Sequence, residues 1–235
     1  MRVSERIDRV PWDEVRASLW STGYARMGSL LTQAECLELR SLYEVPELFR
    51  SRIEMARFRF GRGEYQYFSY PLPEIVATMR SEIYRQLAGP ASEWMAALSI
   101  SAEFPPELEG FLENCHREGQ NRPTPLLLRY QKGDFNCLHQ DLYGSLAFPF
   151  QTIISLSRSG EEFTGGELVL VEQQPRAQSV AHAITLGQGE AVVITTRYRP
   201  AEGAKGYRRT SFRHGVSQIR SGERFTLGLI FHDAA

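Results

Sequence analysis

The residues in this sequence best suited to chemistry are two histidines and an aspartate in two separate segments. His139 and Asp141 lie two positions apart at the end of a short β-like run, and successive side chains of an extended strand alternate between its faces. These two side chains are therefore expected on one face, and His214 is the candidate third ligand. Two imidazoles and one carboxylate form a facial triad suited to a ferrous ion, with three positions left open. The spacing predicts a metal site built from His139, Asp141 and His214.

The order of four segments resembles that of one known family. After the aspartate come a glycine-rich turn, the segment of His214, and a strand that begins with Arg224-x-Thr226. The chain from about residue 24 to the C-terminus resembles the Fe(II)- and 2-oxoglutarate-dependent dioxygenases. Within them it is most similar to a bacterial subfamily described as oxygenases acting on damaged DNA. The segments that carry the resemblance are Asn136–Gly144 (NCLHQDLYG), Phe163–Glu167 (FTGGE), Arg213–Val216 (RHGV) and Leu227–Asp233 (LGLIFHD).

The resemblance implies Fe(II) on the triad, with 2-oxoglutarate and O2 as cosubstrates at the open positions. Arg224 is expected to bind the distal carboxylate of 2-oxoglutarate bidentately, and the Thr226 hydroxyl adds a bond from the same strand face. A buried dianion without a cation would be prohibitively unstable, so such a pocket needs an arginine. Further candidates for cosubstrate or substrate contacts are Tyr130, Asn136 and Gln151.

Arginines are concentrated in two stretches of the chain. Lys132 and Lys205 are the two lysines, so arginine supplies the other 25 of the 27 cations. Residues 50–62 contain five arginines against one acid, and residues 201–224 contain six cations against two acids. Arginine binds phosphate bidentately, and aromatic rings stack on unpaired bases. With the resemblance, this pattern favours oxidative demethylation of alkylated bases in damaged DNA or RNA. The candidate substrate residues are Arg57, Arg59, Arg62, Tyr65 and Tyr67.

One departure from the resemblance keeps a second substrate class open. Alkylation-repair members of the superfamily carry a second arginine further along the strand that Arg224 begins, whereas this chain has Ile230 there, as in prolyl-hydroxylase-like oxygenases. The alternative function is hydroxylation of a free amino acid, a peptide residue or another small metabolite by the same iron centre. A non-enzymatic binding module would leave the triad without a role, and a zinc hydrolase would leave Arg224-x-Thr226 without one.

Composition restricts the class of protein further. A net charge of −1 excludes the broad basic field of a non-specific nucleic-acid binder. A length of 235 residues, 42% of them hydrophobic, suits one catalytic domain with a sizeable core. No apolar stretch approaches the roughly 18 residues of a membrane span, and three cysteines without a CxxC pair argue against a disulfide framework. We expect a cytoplasmic protein with no membrane association and no obligate protein partner.

Helical patterns dominate the first half of the sequence and short β-like runs dominate the second. Residues 46–70 lack a regular pattern and are interpreted as an irregular aromatic segment, and the resemblance implies that such a segment folds over the site as a lid. Helices are predicted at 11–20, 32–44, 71–99 with a break at Gly89-Pro90, and 105–118, with a strand at 23–30. Strands are predicted at 126–131, 147–157, 166–172, 178–185, 190–197, 212–219 and 224–231.

This order of elements predicts an α+β fold. Seven or eight short strands suggest a double-stranded β-helix (a jelly-roll, cupin-like core), with the N-terminal helices packed on one of its sheets. Residues 1–120 are expected to form the helical and lid elaboration, and residues 121–235 the catalytic core.

Overall fold

The computed structural model of the chain describes residues 1–141, 143–174, 176–203 and 206–235. Leu142 of the first motif and Lys205 of the second basic stretch lie outside these ranges. The described α-helices are α1 Val3–Asp8, α2 Trp12–Thr22, α3 Gln33–Ser41, α4 Glu74–Ala97 and α5 Leu108–Arg117, with 3-10 helices at Leu42–Glu44, Pro46–Leu48 and Met55–Phe58. The described strands are β1 Tyr24–Ser29, β2 Phe49–Glu54, β3 Gly61–Arg62, β4 Glu64–Phe68, β5 Leu126–Gln131, β6 Phe135–His139, β7 Phe150–Ser155, β8 Phe163–Gly165, β9 Leu168–Gln173, β10 Val180–Ile184, β11 Glu190–Thr195, β12 Tyr198–Gly203, β13 Gly206–Val216 and β14 Ile219–Ile230.

The strands form two antiparallel sheets. The larger sheet has the order β1-β11-β7-β14-β5-β4-β2, and β8 also pairs with β14. The smaller sheet has the order β10-β9-β13-β6-β3, and β12 also pairs with β13. Side chains from both sheets line one cavity, as expected for two layers packed face to face. The predicted double-stranded β-helix is confirmed.

Strand β14 shows how the larger sheet separates the core from the site. Leu227 and Leu229, with Phe231 just beyond the strand, join the main apolar cluster, which also contains the buried apolar residues of all five described helices. The alternate residues Thr226, Gly228 and Ile230 line the cavity on the other face. The helices therefore pack on one face of the larger sheet, as predicted, and the opposite face of that sheet lines the cavity.

Helix α4 is continuous, so the predicted break at Gly89-Pro90 is wrong. An interior proline costs a helix about 3 kcal/mol because it removes a backbone hydrogen bond. Leu87, Ala91 and Trp94 lie on either side of Pro90 and are almost fully buried. Burial of such side chains contributes about 1.5–3 kcal/mol each for the larger ones, which offsets the proline. None of the described helices is long and apolar enough to cross a membrane.

Most of the segment 46–70 is regular, in contrast to the prediction. Strands β2 and β4 form a hairpin, and β4 pairs with β5, so the hairpin extends the larger sheet. Strand β3 instead pairs with β6 in the smaller sheet. The first 120 residues thus contribute strands to both sheets. The division into a helical and lid elaboration (residues 1–120) and a catalytic core (residues 121–235) stays a prediction.

Candidate metal centre and active site

Two neighbouring strands of the smaller sheet place the two histidines opposite each other. His214 on β13 is the register partner of His139 on β6, and their ring centroids lie 4.2 Å apart. Asp141 lies two residues beyond the end of β6. Asp141 and His214 are buried, whereas His139 is partly exposed. Residues distant in sequence are thereby brought together by one strand pairing.

The three predicted ligands converge on one point. Asp141 Oδ1 lies 3.4 Å from His139 Nε2, and Asp141 Oδ2 lies 3.2 Å from His214 Nε2. The three ligand atoms all lie within 4.8 Å of one another. Ligand atoms held about 2.1 Å from one ion at right angles would be about 3 Å apart. The arrangement therefore fits a single ion, and two nitrogens with one carboxylate oxygen suit Fe(II).

The protonation states of Asp141 and His214 also suit a metal. Burial opposes ionisation of Asp141, but His214 and His139 outweigh burial and hold the pKa of Asp141 well below its usual range. Burial lowers the pKa of His214, and the nearby His139 lowers it further. Burial also disfavours protonated His139, although its hydrogen bond to Asp141 leaves the pKa raised. An ionised carboxylate and a neutral imidazole are the forms that bind metals.

The orientation of the His139 ring is set by its own strand. The Nδ1 atom lies 2.8 Å from the backbone carbonyl oxygen of Cys137. If this nitrogen carries the proton it donates to the carbonyl, and Nε2 remains free to bind a metal. A hydrogen bond of this type fixes both the tautomer and the direction of a ligand.

A buried guanidinium without an ionic partner lies on the facing sheet. Arg224 is 4% exposed and forms no ion pair with any described residue, and its Nη1 atom is buried without a hydrogen-bond partner. The ring centre of Tyr130 lies 5.5 Å from the guanidinium carbon. Burial lowers the pKa of Arg224, against the opposing effect of Tyr130. Arginine stays charged in proteins, so this side chain is a cation without a matching anion.

The remaining predicted cosubstrate residues lie in the same cavity, which has a volume of about 320 Å³. Thr226 is buried two positions beyond Arg224 on the same strand face. The Asn136 amide lies 3.4 Å from the hydroxyl of the fully buried Tyr130. The Gln151 amide lies 3.1 Å from His214 Nε2, beside the predicted ion position. The structure therefore brings together the triad and all five predicted cosubstrate residues.

The predicted substrate residues are divided by the structure. Arg59, Tyr65 and Tyr67 line the cavity. Arg57 is exposed and forms an ion pair with Glu54 at 2.8 Å, and Arg62 is exposed on β3. Neither Arg57 nor Arg62 belongs to the cavity wall, so any contact they make with a ligand would lie outside it.

The second basic stretch does not form one surface feature. Arg224 points into the cavity, whereas Arg220 lies 3.9 Å from Glu167. Arg208 donates to the side chain of Gln174 on the part of the chain that is described. Its members face different neighbours, so this stretch gives less support for nucleic-acid binding than its composition suggested.

Tyr143 contacts the metal site directly, although it was not among the residues predicted for the site. Its hydroxyl donates to Asp141 Oδ1 at 2.6 Å, and its ring packs edge to face on Tyr67 with centroids 6.2 Å apart. Burial, followed by the charge of Asp141, raises the pKa of Tyr143 well above its usual value. Its position two residues beyond Asp141, within the segment Asn136–Gly144 that carries the resemblance, was the available signal.

Comparison with known proteins identifies the family. A family model described as an oxygenase catalysing oxidative methylation of damaged DNA matches residues 63–234, which is most of the chain. The chain belongs to the Oxygenase-NA family. The resemblance drawn from the motifs is thereby confirmed. Two uncharacterized proteins of Mycobacterium tuberculosis, from strains CDC 1551 and H37Rv, are each 48% identical to this Oxygenase-NA protein over 168 residues, covering 72% of both chains.

Solved structures with a similar fold support the architecture. A prolyl-4-hydroxylase of Pseudomonas putida is 16% identical, with a TM-score of 0.57 over 95% of this Oxygenase-NA chain and 99% of its own. An oxidoreductase of the 2OG-Fe(II) oxygenase family from Burkholderia pseudomallei is 16% identical, with a TM-score of 0.56 over 97% and 94%. A Trichoplax adhaerens prolyl hydroxylase in complex with a hypoxia inducible factor peptide is 14% identical, with a TM-score of 0.60 over 97% and 90%. At these identities the likeness concerns the fold alone.

Proposed function

We propose that this oxygenase depends on Fe(II) and 2-oxoglutarate and removes N-methyl groups from alkylated nucleobases in DNA or RNA by oxidation. The observation that carries the cofactor part is the convergence of His139, Asp141 and His214 in one cavity with the unpaired cation Arg224. A metal site alone would not require a buried guanidinium. A metal site that shares its cavity with one suits a cosubstrate with both a chelating and a distal carboxylate.

Each residue of the cavity has a defined task in this proposal. His139, Asp141 and His214 would hold Fe(II), and Arg224 would bind the distal carboxylate with help from the Thr226 hydroxyl. The remaining polar residues, which orient ligands near these groups, are Tyr130, Asn136 and Gln151. Pairing Arg224 with an anion would remove the cost of its isolated charge, which favours productive placement of the cosubstrate.

The bound iron and 2-oxoglutarate would supply O2 activation, with one oxygen atom ending in succinate, CO2 released, and the other atom inserted into a substrate C–H bond. Insertion into an N-methyl group gives an N-hydroxymethyl group. That group loses formaldehyde as the C–N bond breaks, and its hydroxyl proton passes to the nitrogen or, where the methylated nitrogen is cationic as in 1-methyladenine, to solvent, which restores the base. The protein's contribution is to bind the reacting methyl group near the triad and to exclude water.

The nucleobase substrate is supported by the cavity wall and by the family description. Tyr65 and Tyr67 provide aromatic faces, and Arg59 places a cation where the cavity opens. Flat bases stack on aromatic rings, and phosphates pair with arginine. An enzyme with a cavity of this kind would act on an unpaired or extruded base, because unstacking costs least for damaged or single-stranded bases.

One observation favours a second candidate substrate. Ile230 lies in the cavity wall, where it offers an apolar surface rather than a second cation. An apolar wall suits an aliphatic carbon of an amino acid or peptide residue. Hydroxylation of such a carbon by the same centre would give a stable alcohol.

A product-based screen separates the two candidates. The protein is reconstituted anaerobically with Fe(II) and 2-oxoglutarate and then mixed with O2 and either methylated oligonucleotides or an amino-acid and peptide panel. Loss of 14 mass units with formaldehyde release supports demethylation, whereas a gain of 16 supports hydroxylation (both are rough integer masses for CH2 and O). Succinate formation alone decides nothing, because uncoupled turnover also produces it.

Two variants give the control for the cofactor assignment. His139→Ala removes one ligand and is expected to abolish both tight Fe(II) binding and product formation. Leu37→Ala changes an exposed residue on α3 and is expected to alter neither. Full activity of His139→Ala would contradict the metal site.

A further inference from the structure

Two phenylalanines at the opening of the cavity are exposed and stacked on each other. Phe58 is 53% exposed and Phe60 is 48% exposed. Their ring centroids are 5.6 Å apart and their planes differ by 20°. Phe60 lines the cavity and Phe58 does not, so the stack runs from the cavity wall outward. Paired aromatic rings left open to solvent are unusual on a soluble protein and indicate a contact surface.

The backbone that carries the pair is fixed to the strand of the metal site. The Phe60 carbonyl accepts a hydrogen bond from the amide of Cys137 at 2.8 Å, two residues before His139. The next residue, Gly61, pairs with Asn136, and a Cβ atom at Gly61 would lie 2.3 Å from the carbonyl of Phe135. Only glycine permits this close approach, which holds the phenylalanine pair at a set distance from the triad.

The other end of the turn is anchored in the interior. Met55 is fully buried against Tyr130 and Phe163, and its amide bonds to the carbonyl of Gly63 at 3.0 Å. Arg59, between the two rings, has φ 60° and ψ 28°, a left-handed conformation that is costly for a residue with a side chain. This strained turn presents both rings on one side, so their exposure results from an ordered backbone.

The charges around the pair complement a phosphate backbone. Arg59 and Arg62 are exposed and form no ion pair with any residue of the described ranges, and Arg57 is held by a surface pair with Glu54. Two neutral rings beside two unpaired guanidiniums match an unpaired nucleotide, which offers a flat base and an anionic phosphate. A second copy of the chain or an apolar peptide would leave these cations without partners.

We infer that the Phe58–Phe60 pair stacks on the base next to the one held in the cavity, in single-stranded DNA or RNA. This inference rests on the proposed nucleobase function and adds a second binding position to it. Phe60 contacts the neighbouring base at the cavity opening, and Phe58 continues the stack outward. Arg59 and Arg62 bind the phosphates on the two sides of this neighbouring nucleotide.

The test compares affinity with its salt dependence. The protein, loaded with Fe(II) and 2-oxoglutarate under nitrogen, is titrated with a short single-stranded DNA that contains one 1-methyladenine beside 2-aminopurine. Phe58→Ala with Phe60→Ala is expected to weaken binding by about 5- to 150-fold, the equivalent of about 1–3 kcal/mol, and to abolish stacking-dependent quenching of 2-aminopurine. The slope of log affinity against log salt is expected to stay constant, because no charge is removed.

Matched variants test the roles of the arginines and of the aromatic rings separately. Arg59→Ala with Arg62→Ala is expected to reduce the salt slope by about 1.4, the value for two lost phosphate contacts on a single strand. Phe58→Trp with Phe60→Trp retains aromatic faces and is expected to restore affinity and quenching. Leu37→Ala removes an equally exposed apolar side chain on α3 and is expected to change nothing.

The outcomes separate this inference from the function on which it rests. If the wild-type protein binds and demethylates the oligonucleotide while the phenylalanine variants bind it equally well, the pair has no stacking role and the proposed function stands. If the wild-type protein binds no oligonucleotide but hydroxylates a peptide or amino acid, both the nucleobase function and the stacking role are wrong. Because both rings are exposed, urea unfolding of the variants is expected to match the wild type.

Discussion

Two of the three arginines that are buried in the described part of the chain are in opposite situations, and the contrast separates structure from function. Arg80 on α4 is 1% exposed and its guanidinium is saturated, with Asp233 at 2.8 Å, the Tyr70 hydroxyl at 2.9 Å and backbone carbonyls after β14. Arg224 is 4% exposed and has no ionic partner among the described residues. Burying an unpaired charge costs several kcal/mol, so the first arrangement stabilises the fold and the second is retained for a ligand.

The two buried aspartates repeat the contrast. Asp233 accepts hydrogen bonds from Arg80 at Oδ1 and from Tyr70 at Oδ2, and His116 Nε2 lies 2.9 Å from Oδ2. Asp141 has two imidazoles and the Tyr143 hydroxyl as neighbours, and no arginine or lysine pairs with it in the described ranges. A carboxylate neutralised by a guanidinium has little affinity left for a metal. One held by imidazoles exchanges those contacts for a metal ion at little cost.

The strongest test of this contrast is Arg80→Met, which leaves Asp233 buried without its cation. Breaking a buried ion pair in this way costs about 3–5 kcal/mol, and urea unfolding is expected to show a loss of that size. Arg85→Met provides the control on the same helix, because Arg85 is exposed and pairs only at the surface with Glu82 and Asp8. Its expected effect is about 1 kcal/mol or less. Equal losses for the two variants would show that the Arg80 network does not stabilise the fold.

Arg224→Met is expected to have the opposite effect on stability from Arg80→Met and, in addition, to weaken ligand binding. Affinity for 2-oxoglutarate should fall by about 2 kcal/mol or more, roughly 30-fold, because the bound carboxylate loses its partner. The free energy of unfolding without 2-oxoglutarate should rise, because an unpaired buried charge is replaced by an apolar side chain of similar length. Calorimetric titration of the anaerobic Fe(II) protein gives the first quantity and urea unfolding gives the second.

Thr226→Val is the milder companion in the same strand. It removes one hydroxyl that is expected to bond 2-oxoglutarate, so the affinity should fall by about 0.5–1.5 kcal/mol with the arginine intact. A destabilisation of Arg224→Met as large as that of Arg80→Met would mean that Arg224 supports the fold, and the contrast would be lost.

The parts of this architecture that the sequence predicts are those with fixed chemical requirements. His139 and Asp141 are two apart because a strand alternates its faces, and Arg224 and Thr226 follow the same rule. Their residue types are set by the ion and by the anion. For that reason spacing and residue type, together with the family resemblance, were enough to place the triad and Arg224 in one cavity.

The parts that the sequence does not predict depend on contacts between distant segments. Arg80 and Asp233 are 153 positions apart, and nothing local marks them as partners. The β2–β4 hairpin was interpreted as irregular because its arginines interrupt the apolar alternation, yet its edge pairs with β5. Pro90 indicated a helix break because local propensity cannot include the burial of Leu87 and Trp94 on either side.

The two tyrosines that donate to the aspartates form the finest test of the contrast. Tyr143→Phe removes the 2.6 Å hydrogen bond to Asp141 and is expected to lower affinity for Fe(II) or Co(II) by about 10- to 100-fold, because groups that orient metal ligands have effects of this size. Tyr70→Phe removes the corresponding hydroxyl at Asp233, at 3.0 Å, and is expected to lower the free energy of unfolding by about 1 kcal/mol with metal affinity unchanged. Tyr65→Phe, in the cavity wall without a hydrogen bond to Asp141, controls for loss of a phenol near the metal.

Metal affinity should therefore fall in Tyr143→Phe, and the free energy of unfolding should fall in Tyr70→Phe. If Tyr143→Phe lowered stability and left metal affinity intact, Asp141 would belong with Asp233 as a structural carboxylate, and the assignment of an open metal site beside a closed ionic network would be wrong.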